Sequence, residues 1–519
     1  MSPALPTGGQ VRRVTRDASN YHSEAKLTDL LGDVYIGVFA VAMASTMVFS
    51  LSTRLAPGEG PFRQAAQDGP GLAVGWIAVL PAIAAVAAFI GLVTRLGPLS
   101  LSGAESTWWL PLPVDRRSLL RPAAYRWPGI GLVVGAVCGA AVSFALPAGP
   151  AAMAGTTALF AALTVTLVIT AGQLQSRPTA HRAIRVAADL VTAGVPLFGI
   201  LMALSRTAPP GTTWVALPVA VVLLVVAIGL AVSWDRRLGD VHAVSLRHSG
   251  AVTDEALVAV LSLDTRALGR ALAVRTQSPR RARSSTMKWL TRVPRSWRPQ
   301  AALITSDVLL FLRTPRQPVQ VLVALGLPVL GLLVPDPGPA STIVLLLIGA
   351  YLASLATVEG ARRAQISPGL DAAFPIGQRD VRLTRMALPI VVMEFWFIVI
   401  TAVLGWRFGD PAWWVLLGVL SAPAWAAAAV RGAYRPNATF GGPTITSPMG
   451  ALPPGLASSV VKGPDVALIG SVPIVVALIL GSTHPELLSL QVLLSGVAVA
   501  IALHQKTENP EEANPREKP

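Results

Sequence analysis

The sequence predicts an all-α, polytopic membrane protein with about twelve transmembrane helices arranged as two parallel six-helix repeats. Three observations carry that prediction. Of 519 residues, 53% are hydrophobic and only 13% charged, with a mean hydropathy of +0.58, whereas soluble domains carry about 25% charge. Apolar runs close to the roughly 20 residues that cross a bilayer recur twelve times. A phrase between two such runs, LPLPVDRRSLLRP at Leu110 to Pro122, returns in weaker form as AAFPIGQRDVRLTR at Ala372 to Arg385. Laid together, Leu112, Pro113, Val114 and Arg117 fall on Phe374, Pro375, Ile376 and Arg379 at a constant offset of 262 residues.

Residues 1–30 mix both charge signs and lack an apolar region with a small-residue cleavage site, so they read as a cytoplasmic segment without a cleavable signal. The first membrane half, 31–233, holds apolar runs near 31–51, 71–93, 128–146, 151–171, 186–204 and 213–233. The second half, 300–504, holds runs near 318–334, 340–357, 387–405, 412–430, 464–481 and 487–504, of which 318–334 is the shortest. Between them, 234–299 is a basic cytoplasmic linker. Its stretch Asp254 to Leu272 has apolar residues at helical spacing with arginines outside them, the pattern of an amphipathic surface helix. Arg275 to Pro299 reads either as a solvated linker held at anionic headgroups, at about 1 kcal/mol per basic side chain, or as a docking site for a partner protein. The tail 505–519 is polar and rich in Glu and Pro, the composition of a disordered segment.

Charge placement orients the spans. Cytoplasmic loops carry the Lys and Arg excess, and alternate loops from the N-terminus hold 38 of the 42 basic residues, leaving Arg54, Arg63, Arg206 and Arg407 opposite. Both termini and the linker are therefore expected in the cytoplasm of a multi-pass plasma-membrane protein. The net charge of +15 is a topology signal on this reading, not a nucleic-acid surface. Six spans per half bring the second half into the membrane in the same sense as the first, the arrangement of parallel repeats. A second echo supports it: DLVTAGVP from Asp189 and DVALIGSVP from Asp465 open the fifth and eleventh runs.

In the repeated phrase, each proline biases its predecessor away from helix, so the chain leaves the second span, turns at the membrane surface and starts a short basic helix at Val114 or Asp115. Arg116, Arg117, Arg121 and Arg126 are expected to snorkel or face the cytosol, with Arg379, Arg382 and Arg385 in the same place in the second copy. Residue types alone leave a topological anchor and a protein-docking element equally open.

Glu394 is the one acid well inside an expected span. There an acid costs roughly 2.5 to 3.5 kcal/mol, so it must face protein or a cavity. A structural hydrogen bond or burial as the neutral acid and a place on a translocation path both remain open. Asp33, Asp189 and Asp465 lie near cytoplasmic ends, the last two as complements to helix N-termini. Trp108, Trp109, Trp127, Trp413 and Trp414 fit interfacial belts. Cys138 is the single cysteine, read as a packing thiol, and the six histidines have no metal spacing. The glycine-rich stretch Phe440 to Gly455 lacks the lysine of a phosphate-binding loop and holds four prolines without N–H donors, so it reads as an irregular cytoplasmic loop.

The loop after the second span, together with SDVLLFLRTPRQPVQVLVALGLPVLGLL at Ser306 to Leu333, resembles permease subunits of type-2 ATP-binding-cassette transporters, in a fused form similar to twelve-span actinobacterial exporters. The resemblance implies a surface helix carrying Asp307 and Arg313 before the seventh span. It implies coupling segments at Pro113, Asp115, Arg116, Arg117 and Arg121, and at Pro375, Arg379, Asp380 and Arg382, which would meet a separate ATPase, two copies per chain. The links Ser205 to Thr212 and Ser482 to Glu486 are too short for the re-entrant helices many of these permeases carry.

The expected function is thus an exporter of a hydrophobic or amphiphilic solute, embedded in lipid. It would not itself be an enzyme, would bind no cofactor or metal directly, and would use ATP through its partner. The alternatives are a membrane scaffold that recruits a cytosolic partner through 234–299, and a proton-coupled carrier working through Glu394.

Overall fold

A computed structural model describes residues 6–22, 72–146, 149–209, 215–261, 265–272, 288–333, 339–367, 369–435, 445–447, 450–452 and 462–504. The chain divides into two compact units, 1–276 and 277–519. Helices dominate both, with one three-residue antiparallel ladder.

In the first unit, α1 (Gly8–His22) precedes α2 (Val74–Leu96), the short α3 (Gly103–Trp108) and the long α4 (Arg116–Ala145). Then follow α5 (Pro150–Leu174), α6 (Pro178–Leu204), α7 (Ala216–Arg237), α8 (Ala243–Leu261) and α9 (Thr265–Leu272). Prolines open α5 and α6 in their first turn, where the missing N–H costs nothing. Ser102 and Glu105 close a capping box on α3.

Lipid offers helices no hydrophobic reason to associate, so close packing and interhelical hydrogen bonds must do it. Gly131, Gly135 and Gly139 line the face of α4 that meets α5, and a Cβ on Gly135 would lie 2.5 Å from the Phe160 carbonyl oxygen. Gln173 on α5 donates to the Leu230 carbonyl of α7 at 2.6 Å.

The second unit begins its helices with α10 (Arg298–Arg313), α11 (Arg316–Leu333) and α12 (Pro339–Thr357). Next come α13 (Glu359–Ile366), bent 58° from α12, then α14 (Gly369–Ala372), α15 (Gln378–Arg385) and α16 (Ala387–Phe408). They are followed by α17 (Pro411–Ala433), the ladder β1 (Ile445–Ser447) with β2 (Gly450–Leu452), α18 (Pro464–Leu480) and α19 (Pro485–Leu503). Trp396, Phe397 and Trp414 are fully buried at its centre. Across helices, Gln491 donates to the Gly470 carbonyl at 2.9 Å and Ser495 to that of Leu420 at 2.6 Å.

Among the described residues, nine helices are long and apolar enough to cross a bilayer, ten if the bent pair α12–α13 counts as one, and α18 is a shorter apolar helix. The protein is a multi-pass helical membrane protein. The expected run 31–51, with Asp33, lies outside the described residues, as does the tail 505–519.

Three expectations are corrected. The basic stretch after Asp115 is no separate short helix: α4 runs unbroken from Arg116 to Ala145, because nothing in LLRPAAYRWPG stops it and both internal prolines leave the helix continuous. Trp109 and Trp414 pack inside, at 9% and 0% exposure, since the neighbouring Trp108 and Trp413 take the outward face. The glycine-rich loop contains the β1–β2 ladder, pairing Ile445 with Leu452.

Candidate functional site

The two copies of the repeated phrase fold the same way. In the first, the Leu112 N–H donates to the Trp109 carbonyl at 3.2 Å, Val114 to Leu112 at 2.9 Å, and Leu119 to Asp115 at 3.3 Å. In the second, Phe374 donates to Asp371 at 3.2 Å, Ile376 to Phe374 at 2.8 Å, and Val381 to Gly377 at 2.9 Å. Every donor and acceptor of the second set lies 262 residues after its counterpart. The physical reason is the proline. Its ring fixes its own φ and removes its N–H, so Pro113 or Pro375 sits at the centre of a three-residue turn whose bond joins its two neighbours.

The helices around the turns keep the same spacing. The helix after each turn starts at Arg116 and at Gln378, separated by that same offset. The apolar length Gln378–Phe408, interrupted only at Met386, matches α4 in extent. The preceding helices α2 and α12 end at Leu96 and Thr357, and the following ones, α5 and α17, start at Pro150 and Pro411; each pair departs from the offset by a single position.

What holds the turns differs between the units. At the first, Asp115 caps α4 by accepting from the Arg117 and Ser118 N–H groups at 3.1 Å each. The Ser118 backbone N–H leads in holding its carboxyl below the ordinary carboxylate range. Arg117 and Arg121, one turn apart on α4, both grip Asp235 at the end of α7. Arg117 donates through Nε at 3.0 Å and also through Nη2, and Arg121 through Nε and Nη2 at 2.7 Å each. This corrects the expectation that all four arginines of this stretch point into water or headgroups. Asp235 is 9% exposed at its side chain and would be unpaired without them. On α1, Arg12 donates to the Ser118 and Leu119 carbonyls, at 2.5 and 2.8 Å. Pro113, Asp115 and Arg116 are exposed.

At the second turn the charges are inside. Arg385, 5% exposed at its side chain, donates to Asp307 at 2.8 and 3.1 Å and to Asp371 at 2.5 and 3.2 Å. Tyr434 donates its hydroxyl to the other Asp371 oxygen at 2.5 Å, and the Arg382 guanidinium lies over the Tyr434 ring, 5.4 Å from its centre. Burial pushes the Asp307 carboxyl up against the opposing pull of Arg385, and burial likewise raises the Tyr434 hydroxyl. Pro375, Arg379 and Asp380 are exposed. Asp307 and Arg313 lie on α10, the helix before α11. A groove of about 280 Å³ runs between Leu290, Arg298 and Pro299 on one side and Phe374 and Pro375 on the other.

Sequence reasoning does not pick out Asp235, Asp371, Arg385, Tyr434 and Arg12 as bracing partners. One signal is available: Asp235 interrupts the basic end of a span in SWDRR, and Asp371 sits at the position matching Trp109 just before its turn.

Elsewhere, Asp189 lies well inside α6 and pairs with Arg95 at 2.7 Å. That corrects its assignment to a helix N-terminus, which rested on an expected span start at 186. Asp465 does sit in the first turn of α18, accepting from the Gly463 and Val466 N–H groups at 2.8 Å and pairing with Arg431. Glu394 is half-buried on α16, beside exposed Val391 and Ile398, and makes no hydrogen bond or ion pair among the described residues. No group of three or more His, Cys, Asp or Glu able to hold a metal occurs among the described residues.

No curated protein and no solved structure matches the chain. A family model does match, over residues 70–443, a range that takes in both turns and the linker between the units. The chain belongs to that family, DUF6297, a family of unknown function.

Proposed function

We propose that the protein is the permease of a two-component exporter, written as two six-span repeats with both termini in the cytoplasm of a plasma membrane, and that its two proline turns receive a separate ATPase. The observation that carries this reading is the pair of turns. The same three backbone hydrogen bonds recur in both copies, each set at the start of a long apolar helix and each tied by arginine–aspartate contacts to another helix of its unit. A push on such a turn is passed to a span, because the turn residues and the span belong to one rigid connection. The exposed residues Pro113, Asp115, Arg116, Pro375, Arg379 and Asp380 are then the contact surface, while Arg117 and Arg121 tie the first turn to α7 and Arg382 packs on Tyr434 at the second.

Two turns call for two ATPase copies per permease chain. ATP enters only through that partner, since the chain has no phosphate-binding loop of its own. The exported solute is hydrophobic or amphiphilic, and Glu394, an acid in an apolar helix without a hydrogen-bond partner among the described residues, lies on its route. The test is co-purification with an ATPase encoded beside the chain. The wild type should retain two copies, and removal of Asp115 to Arg121 together with Gly377 to Leu383 should release both. Full ATPase retention by that double deletion would refute the assignment.

A further inference from the structure

The chain ahead of α10 holds ten basic residues and no acid between Asp264 and Asp307. Its described part, 288–297, is a shaped ledge. Two 3-10 turns, Lys288–Arg292 and Arg295–Trp297, lead into α10. Arg298 ties them down, donating through Nε to the Val293 carbonyl and through Nη2 to that of Thr291, each at 3.0 Å. Thr291 donates its hydroxyl to the Lys288 carbonyl at 2.7 Å. With Arg298 so used, Lys288, Trp289, Arg292, Arg295 and Trp297 are left facing outward. The two indoles are 44% and 65% exposed.

The ledge is one wall of the groove whose other wall is Phe374 and Pro375 of the second turn. The acids of that facing wall do not balance its charge. Asp371 accepts from Arg385 and Tyr434, and exposed Asp380 follows exposed Arg379. An apolar slot rimmed by indoles and guanidinium groups has the composition of a protein contact, and surplus positive charge selects an acidic partner. Depth argues the same way. Gln378–Phe408 spans 31 residues, about 46 Å at 1.5 Å per residue, of which the hydrocarbon takes about 30 Å. Its polar end is α15, with four charged residues in eight, so the turn and its groove stand outside the hydrocarbon.

We infer that the ledge and groove bind an acidic segment of the ATPase, which seats one apolar side chain between Leu290 and Phe374 and sets its carboxylates against Lys288, Arg292 and Arg295. This rests on the ATPase assignment proposed above and adds a contact to it. At the first turn the neighbouring element is α1, with Gly8 buried against Ser118 and Leu119, so the added contact belongs to the second turn.

The test measures binding of the ATPase encoded beside the chain to the full chain in phosphatidylcholine nanodiscs. The wild type should bind two copies. Lys288→Gln, Arg292→Gln and Arg295→Gln together should weaken one of the two by about tenfold and flatten its salt dependence. Filling the groove with Ala302→Phe should weaken the same copy; should that variant fail to fold, the triple variant, confined to exposed side chains, decides alone. Matched loss of charge at exposed Arg177, Arg182 and Arg316 should change neither copy. Two copies held at wild-type affinity by the triple variant would overturn this inference and leave the ATPase assignment standing, whereas no ATPase bound by the wild type would overturn both. Unchanged ATPase binding with loss of phosphatidylglycerol, read by native mass spectrometry of the triple variant, would give the surface to the membrane and equally overturn the inference.

Discussion

Arg385 and Asp235 anchor their turns in different surroundings, and the surroundings set what each is worth. Arg385 is buried with two aspartates against it, one of which also accepts from a tyrosine hydroxyl. Removing the guanidinium leaves Asp307 and Asp371 without their common partner, so Arg385→Leu should cost about 3–5 kcal/mol. Asp235 is nearly buried, but its arginines keep 43% and 52% of their side-chain surface in solvent, where water screens the pair. Asp235→Asn should therefore cost only about 1 kcal/mol. Thermal unfolding in detergent would rank the two, and equal losses would show that burial does not govern the second turn. Little of this is legible in the sequence. The repeated prolines and arginines stand out in the chain, but their partners lie up to 118 residues away, and spacing says nothing about which acid closes on which arginine.

At the scale of helices, hydropathy is the better guide. Eleven of the twelve expected runs coincide with helices in the described residues, because an apolar stretch in lipid must satisfy its backbone within itself. Where the reading fails, the reason is local. A basic, proline-containing stretch looks like a break, yet α4 carries Pro122 and Pro128 inside one continuous helix. In the second copy the equivalent helix does pause, at Met386. The α4–α5 contact gives the sharpest test at this level. A Cβ on Gly135 would meet the backbone of α5 at 2.5 and 2.7 Å, while one on Gly129 would meet nothing within 4 Å. Gly135→Ala should destabilise by about 1–3 kcal/mol through overpacking. Gly129→Ala should be neutral or slightly stabilising through helix propensity. Comparable losses in both would mean that the glycine stripe does not set the approach of the two helices.

For the whole molecule, the account rests on one membrane unit written twice. The constant offset between four pairs of side chains recurs in three backbone hydrogen bonds and a helix start, and neighbouring helix ends hold to it within a single position. The two copies have nevertheless diverged in how they are braced, with a clasp reaching α7 in one and a buried network reaching α10 and the end of α17 in the other. On the proposed reading, a unit entering the membrane twice in the same sense shows both turns to one compartment, and the basic-residue asymmetry points to the cytoplasm as that compartment. The most direct measurement starts from a Cys138→Ser background, free of native thiol, with Arg116→Cys or Arg379→Cys added in turn, both exposed positions beside their turns. The account predicts that a membrane-impermeant maleimide leaves both cysteines unlabelled in intact cells and labels both once the cells are permeabilised. Labelling of either one from outside intact cells would contradict it.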